Sequence, residues 1–496
     1  MNKLIALILA AALAAMPLLS CAADDGADSQ HQNDPGAPEA GGETTANGEP
    51  DEESPEELRF PDLPDTNFGG YDFRILNMAE GGNLWIIGQL VAEEETGVAL
   101  NDAIFRRNRR MEERFGFNLV QIDAPGPVIV RDRLRTSVQA GSDDFDLGMS
   151  TPLLLLPMAQ EGMLERFDSM PYVDLSRPWW DQDMARDLSI GGRLFFMAGD
   201  FTFNHYSVAM CLLFNKQLHA DLGLDNPYEL VHAGKWTIER FAEMGRAALR
   251  DLNGDGVFDH RDQWGFLSPS HVYAVGIMSG LGAVHVIKDY DDMPVLNINT
   301  EGFVSRFLTA FDILNEGWHF DNTRFTGIPR MDELFLNNQI LFWSELMGWA
   351  TTLRAMDNDF GILPLPKLNE QQESHITGMG QPHVKAVPIT TQNLERTGLI
   401  LEALCAESRL TTLTVYYDTM LVNQLLNRDE ESAEMIEIIF SNRIYQTGRQ
   451  FWSGTIADPI QHAFRDRNRD IVSIIERNET AANAAIAATV NAFLAD

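Results

Sequence analysis

Three observations predict an α/β protein of two domains. From Tyr71 to about residue 164, short strand patterns alternate with helix patterns, as in βαβ units with a largely parallel sheet. About 430 residues follow an N-terminal stretch that cannot fold, more than one hydrophobic core usually supports. Past two apolar runs near residue 200, helix patterns dominate.

The chain opens "MNKLIALILAAALAAMPLLSC". One Lys and an apolar run of about 16 residues make a secretory signal peptide over residues 1–20, too short and too early for a membrane span. Ser20-Cys21 at its end resembles the lipobox of bacterial lipoproteins, which would make Cys21 a lipidated N-terminus. Cys211 and Cys405 lie far apart and read as small buried hydrophobes, with a disulfide as the alternative. Residues 21–66 are rich in Asp, Glu, Gly and Pro and poor in aromatics, a self-repelling tether. The whole chain has 73 acidic against 37 basic residues, which argues against nucleic acid as a partner. No later apolar run is long enough to cross a membrane.

The elements follow in order. "YDFRILNM" reads as a strand. The next helix has Asn101 as cap, Ile104, Met111 and Phe115 on one face, and Gly116 as stop. "FNLVQI", "RDRLRTSVQAG", "DDFDLGMS" and "PLLLLPMAQEGML" continue the alternation. Asn77 and Ser150 sit at carboxyl ends of strands, where α/β sheets hold ligands. "GGRLFFMAGDF" and "SVAMCLLFNKQL" are extended runs placed near a crossing between lobes. "WTIERFAEMGRAALR" is a helix capped by Thr237, with Ile238, Phe241, Met244 and Leu249 roughly on one face. Helices over 304–317 and 331–339 follow, then a strand from Ile340. "DFGILPLPKL" and "HVKAVPIT" look like the chain returning to the first lobe, and the tail is mostly helical.

The most specific local motif is "DLNGDGVFDHRD". Asp251, Asn253, Asp255, Asp259 and Asp262 place oxygen at positions 1, 3, 5, 9 and 12 of a calcium loop, Val257 offers a carbonyl at position 7, and Gly256 takes the sharp turn at position 6. The loop is single, and "QWGFLS" after it reads as strand, so a helix–loop–helix switch is not expected. A structural calcium ion outside the cell is the reading.

Catalytic patterns are missing: no HExxH, Walker loop, GxSxG or zinc-spaced Cys/His set appears. His205, His219 and His232 are too irregularly spaced for a metal. Of nine Trp, Trp180 and Trp349 read as packing. Trp343, with Ser344 and Glu345 beside it, reads equally as packing or as a platform that stacks on a sugar.

Together the lipobox, the acidic linker, "FNKQLHADLG" with the following "WT", the calcium-like loop and "FGILPLPK" resemble the extracellular solute-binding proteins of carbohydrate ABC transporters, the family that includes maltose-binding protein. The resemblance runs from about residue 67 to the end. It implies a two-lobed, periplasmic-binding-protein-like fold with hinge strands and a ligand cleft between lobes. Lobe one would hold 67–205 and 363–405, lobe two 206–362 and 406–496. It also implies a monomer, anchored to the outer face of the membrane, that captures an oligosaccharide and delivers it to an ABC permease. Trp343 falls where the family stacks on sugar. Gly378 and Met379 match a cleft-lining turn, and Asp200 and Tyr206 flank the first crossing. Asp200 and Glu345 would accept hydrogen bonds from sugar hydroxyls. The alternative readings are a carbohydrate-active enzyme, which needs two carboxylates facing across the cleft, and a calcium-dependent adhesion module.

Overall fold

The computed structural model describes residues 59–78, 90–268, 271–322, 325, 330–355, 359–418 and 431–495. The signal peptide, Cys21 and residues 22–58 of the acidic segment 21–66 fall outside these residues. Phe60–Asp496 forms one folded unit built around two sheets.

The first sheet contains β1 (Tyr71–Met78), β2 (Phe117–Ala124) and β3 (Leu147–Ser150), all parallel. Helices link them as the alternation predicted: α1 (Ala99–Phe115) and α2 (Pro127–Gln139), with α3 (Pro152–Gln160) next. The apolar face of α1 buries Ile104, Met111 and Phe115. Gly116 ends it at φ 64°, and a Cβ there would collide with the Asn67 side chain. Asn101 is not the cap. The helix begins one turn earlier, after Val98, and the Asn101 amide donates to the Glu94 carbonyl at 2.9 Å.

After α4 (Gln182–Leu188) comes "GGRLFFMAGDF", which forms no strand, only single bridges such as Met197 to Lys385 and Trp180 to Gly199. A short helix, α5 (Asn204–Ser207), then leads into β4 (Met210–Asn215) of the second sheet. That sheet has the order β10-β4-β9-β5-β8. Its members are β5 (Trp264–Ser268), β8 (His319–Asp321), β9 (Ile340–Leu346) and β10 (Phe360–Leu363). β5 pairs parallel with β8 and β9, while β4 is antiparallel to β9 and β10. The helix α6 (Ile238–Ala248) starts where Thr237 Oγ1 accepts from the Arg240 amide, and it buries Ile238, Phe241 and Met244. Phe241 meets Trp236, Phe266, Trp318 and Phe342 edge-on or tilted, the aromatic core of this half. A hairpin of β6 (Val286–Lys288) and β7 (Pro294–Leu296) stands apart from the sheet.

"DFGILPLPKL" does not itself return to the first sheet. Its strand β10 extends the second sheet along β4, because Phe360–Leu363 are buried on both faces there. The return comes next. β11 (Thr377–Gly378) is followed by β12 (Val384–Ala386), which pairs antiparallel with β3, as "HVKAVPIT" predicted. α7 (Leu394–Glu407) packs on α1. The chain then reaches β13 (Arg443–Ile444), which pairs with β11. Two final helices, α8 (Asp458–Arg465) and α9 (Ile471–Leu494), pack on each other, and α9 also touches α3 and β7.

Candidate functional site

The strand ends and the crossings meet at one junction. Ser150, the last residue of β3, pairs with Val384 of β12. One residue earlier, the His383 amide donates to Asn204 Oδ1 of α5 at 2.7 Å. The Gly380 amide donates to the Val208 carbonyl (2.8 Å), and the Met347 amide, just past β9, donates to the Ala209 carbonyl (2.8 Å). Backbone from both sheets is thus tied together around residues 204–210.

Buried charge reinforces the junction. Arg409 Nη1 donates to Asp200 Oδ2 (3.2 Å) and to the Tyr206 hydroxyl (3.1 Å). That hydroxyl donates to Asp200 Oδ1 at 2.9 Å. Arg443 on β13 donates to Asp181 at 3.1 Å and pairs with Asp183 at 3.0 Å. The Tyr445 hydroxyl donates to the same Asp181 carboxylate at 2.7 Å. All four of Asp181, Asp200, Arg409 and Arg443 are buried. Burial pushes the Asp181 carboxyl up, but Arg443, His205 and the hydrogen bonds from Tyr445 and the Met184 amide together outweigh it, and the group is held below its usual range. Burial holds the His205 imidazole below its ordinary value, against the pull of Asp200 and Asp181. Burial likewise lowers Lys385, whose ammonium donates to the Gly199 carbonyl (3.0 Å) and Thr202 (3.2 Å).

Most of the residues expected to bind ligand lie here, yet several are committed elsewhere. Asp200 and Tyr206 hold each other and Arg409, so neither offers a free group to a sugar hydroxyl. Trp343 is fully buried at the centre of β9, tilted against Phe335 and Trp349 with centroids 5.6 Å away in each case. It presents no face for stacking, because the strand that carries it is covered on both sides. Glu345 is 1% exposed and accepts from the Leu346 amide at 3.0 Å. It lies opposite Cys211, whose thiol is pushed up by burial and then by that carboxylate. Ser150 is buried, its hydroxyl donating to the Pro127 carbonyl at 2.9 Å, and Asn77 is buried opposite Asp123. Gly378 packs so near Ser279 that a Cβ would clash, and the Met379 amide donates to the Ile444 carbonyl at 3.1 Å.

Three residues of the junction carried no visible pattern. Arg409, Arg443 and Tyr445 stand in mixed sequence, "AESRLTT" and "SNRIYQT", with no motif or periodicity around them. Asp181 had one weak signal: it opens α4 as an N-cap, accepting from the Met184 amide at 3.0 Å. Trp349, assigned to packing, is only half-buried, on the 3₁₀ turn Met347–Ala355 that follows the carboxyl end of β9.

The acidic loop lies apart from the junction, between α6 and β5. Asp251 accepts from the amides of Gly254 (2.6 Å) and Gly256 (2.9 Å), Asn253 from Asp255 (2.8 Å), and Asp255 from Val257 (2.8 Å). Gly256 sits at φ 75°, as the sharp turn requires. These amides, Gly256 first, hold the Asp251 carboxyl below its usual range. Asp262 is buried and accepts from Leu252 (3.0 Å) and Asp259 (2.9 Å) amides. The donor set, all hard oxygen, fits calcium in type. The present arrangement holds a guanidinium: Arg261 Nη2 contacts Asp259 at 2.6 Å and Asp255 at 3.0 Å. Among the described residues no three His, Cys, Asp or Glu side chains are grouped to hold a metal ion. A surface cavity of about 510 Å³ lies at α8 and α9 around Asp458, His462, Asp466 and Arg477, and its lining includes no Trp, Tyr or Phe.

No protein-family model and no curated protein matches the chain. Solved structures do. A cyclic α-maltosyl-1,6-maltose binding protein from Arthrobacter globiformis is 14% identical, with a TM-score of 0.55 over 84% of this chain and 99% of its own. An ABC substrate-binding protein from Listeria monocytogenes in complex with cycloalternan is 12% identical, with a TM-score of 0.54 over 84% and 99%. A cyclo/maltodextrin-binding protein complexed with maltotetraose is 15% identical, with a TM-score of 0.52 over 84% and 96%. The chain has the two-lobed α/β fold of these binding proteins.

Proposed function

We propose that this protein is an extracytoplasmic carbohydrate receptor that closes over an oligosaccharide and hands it to an ABC permease, without doing chemistry on it. The observation that carries the reading is the fold, shared over 84% of the chain with proteins solved in complex with maltotetraose and cycloalternan. The junction of crossings suits hinge closure, in which contacts to both lobes favour the closed state. The lobe division of 67–205 with 363–405 and 206–362 with 406–496 belongs to this proposal, as do the monomeric state and the anchor at Cys21. Cys21→Ala should release the protein from membranes or block its processing, and unchanged membrane fractionation would remove the anchor.

The sugar platform is Trp349 in place of Trp343. It is half-buried beside the junction, at the carboxyl end of a central strand, where ligands of open α/β sheets sit. Screening against a glycan library by thermal shift identifies the ligand, and calorimetry then compares two variants. Trp349→Ala should weaken binding roughly fivefold, from about 1 kcal/mol of lost stacking. Trp343→Ala should instead cost about 3–5 kcal/mol of stability. Unchanged affinity in Trp349→Ala would move the site elsewhere, and turnover of any glycan would replace the receptor with an enzyme.

Calcium, held through Asp251, Asn253, Asp255, the Val257 carbonyl, Asp259 and Asp262, is part of the proposal as a structural ion. It would supply positive charge that draws the loop's carboxylates together. Chelation should then lower the melting temperature and leave sugar affinity, measured below that temperature, unchanged.

A further inference from the structure

Arg261 stands at position 11 of the acidic loop and, among the described residues, is the basic side chain that contacts its carboxylates directly. Its Nη2 sits 3.0 Å from Asp255 Oδ2 and 2.6 Å from Asp259 Oδ2, and its Nε is 3.0 Å from both oxygens of Asp259. One nitrogen therefore joins the side chains expected to serve a metal at positions 5 and 9. Asp262 adds a further carboxylate to the field around Arg261. Without a cation, four carboxylates on twelve residues would repel one another. With Arg261 in place two of them are bridged, and the first half of the loop is wound by its own Asx-type amide contacts.

A metal and this guanidinium cannot both use Asp255 Oδ2 and Asp259 Oδ2 in the same arrangement. We propose that Arg261 is the loop's internal counter-cation: it holds Asp255 and Asp259 together without metal and competes with calcium for them. The competition rests on the calcium reading above; the counter-cation role does not. The exchange is electrostatic and reversible. Calcium entry requires the Arg261 side chain to swing into solvent, which its half-exposed position allows. The wild-type loop is thus a weak calcium site that keeps its shape when the ion leaves.

Trp264 supplies the readout. Its indole N–H donates to the Asp259 carbonyl at 2.8 Å, so the ring lies within energy-transfer range of a lanthanide bound in the loop. Terbium luminescence excited through Trp, with calcium as competitor, should be measured at low salt for the wild type, Arg261→Gln and Arg261→Lys. The expected result for Arg261→Gln is roughly fivefold tighter calcium binding, the equivalent of about one unit charge near the site in water. Its melting temperature in chelator should fall below that of the wild type, and calcium should restore it. Arg261→Lys should lie between, since a point charge cannot bridge two carboxylates as a planar fork does. Equal calcium affinity in the wild type and Arg261→Gln would overturn the competition. Equal melting temperatures in chelator would overturn the counter-cation role. No calcium or terbium binding in any of the three would overturn the calcium reading, and the competition with it, leaving the chelator comparison to decide the counter-cation role.

Discussion

The junction and the acidic loop each set Arg against Asp, yet they behave as different materials. At the junction, Arg443 meets Asp181 across 262 positions of sequence and Arg409 meets Asp200 across 209. All four side chains are nearly out of water. In the loop, Arg261 meets partners two and six positions away, and about half of its side chain faces solvent. Coulomb attraction is strong in the first setting and screened in the second. The same pair of residue types therefore locks one region and only shapes the other.

Breaking the junction should have the largest effect. Arg443→Ala leaves Asp181 buried without its cation, and removing one partner of a buried pair typically costs about 3–5 kcal/mol. Urea unfolding at neutral pH measures it. A loss under about 1 kcal/mol would mean that water or His205 takes over, and the contrast with the loop would collapse.

Glu402 on α7 sharpens the comparison, because it is a buried carboxylate with no cation beside it among the described residues. It accepts from the indoles of Trp179 (3.0 Å) and Trp180 (2.8 Å) and from the Asp174 amide (3.3 Å). Burial pushes it up to about 7. A carboxyl raised in the folded state stabilises fully below its unfolded value near 4.5, and that contribution is lost as pH rises to about 7. The expected loss is up to ~3 kcal/mol between those limits. Glu402→Gln should flatten that part of the stability profile. An equally steep profile in the variant would assign the titration to another group.

The smallest effect belongs to the loop. Asp259→Asn should shift the unfolding midpoint less than either change above, and raising salt to ~1 M, where charges are screened beyond about 3 Å, should erase the difference. A junction variant such as Arg443→Ala should keep its deficit in the same salt.

What was legible in the sequence follows the same division between near and far. The strand at Tyr71–Met78, the helix stopped by Gly116, the Thr237 cap and the acidic loop rest on contacts within a few residues, and periodicity or spacing displays them. The alternation pointed to a parallel first sheet, and β1, β2 and β3 are parallel. Trp343 misled because an aromatic beside Ser and Glu on a strand looks the same whether the strand is central or at an edge. Only pairing with β4 on one side and β5 on the other buries it. Arg409 and Arg443 were illegible for the converse reason: their partners are set by tertiary contact, and nothing adjacent in sequence marks them.

The antiparallel return of β12 onto β3 has a consequence for how the chain acquires its structure. The first sheet starts at Tyr71, but its last strand comes from roughly 230 residues beyond β3. Between them the whole second sheet is spelled out. Closing so long a loop is entropically slow, and the β3 edge stays open until Val384 arrives. Refolding should therefore pass through a species with the second sheet formed and the first incomplete, prone to pair with other chains at its bare edge.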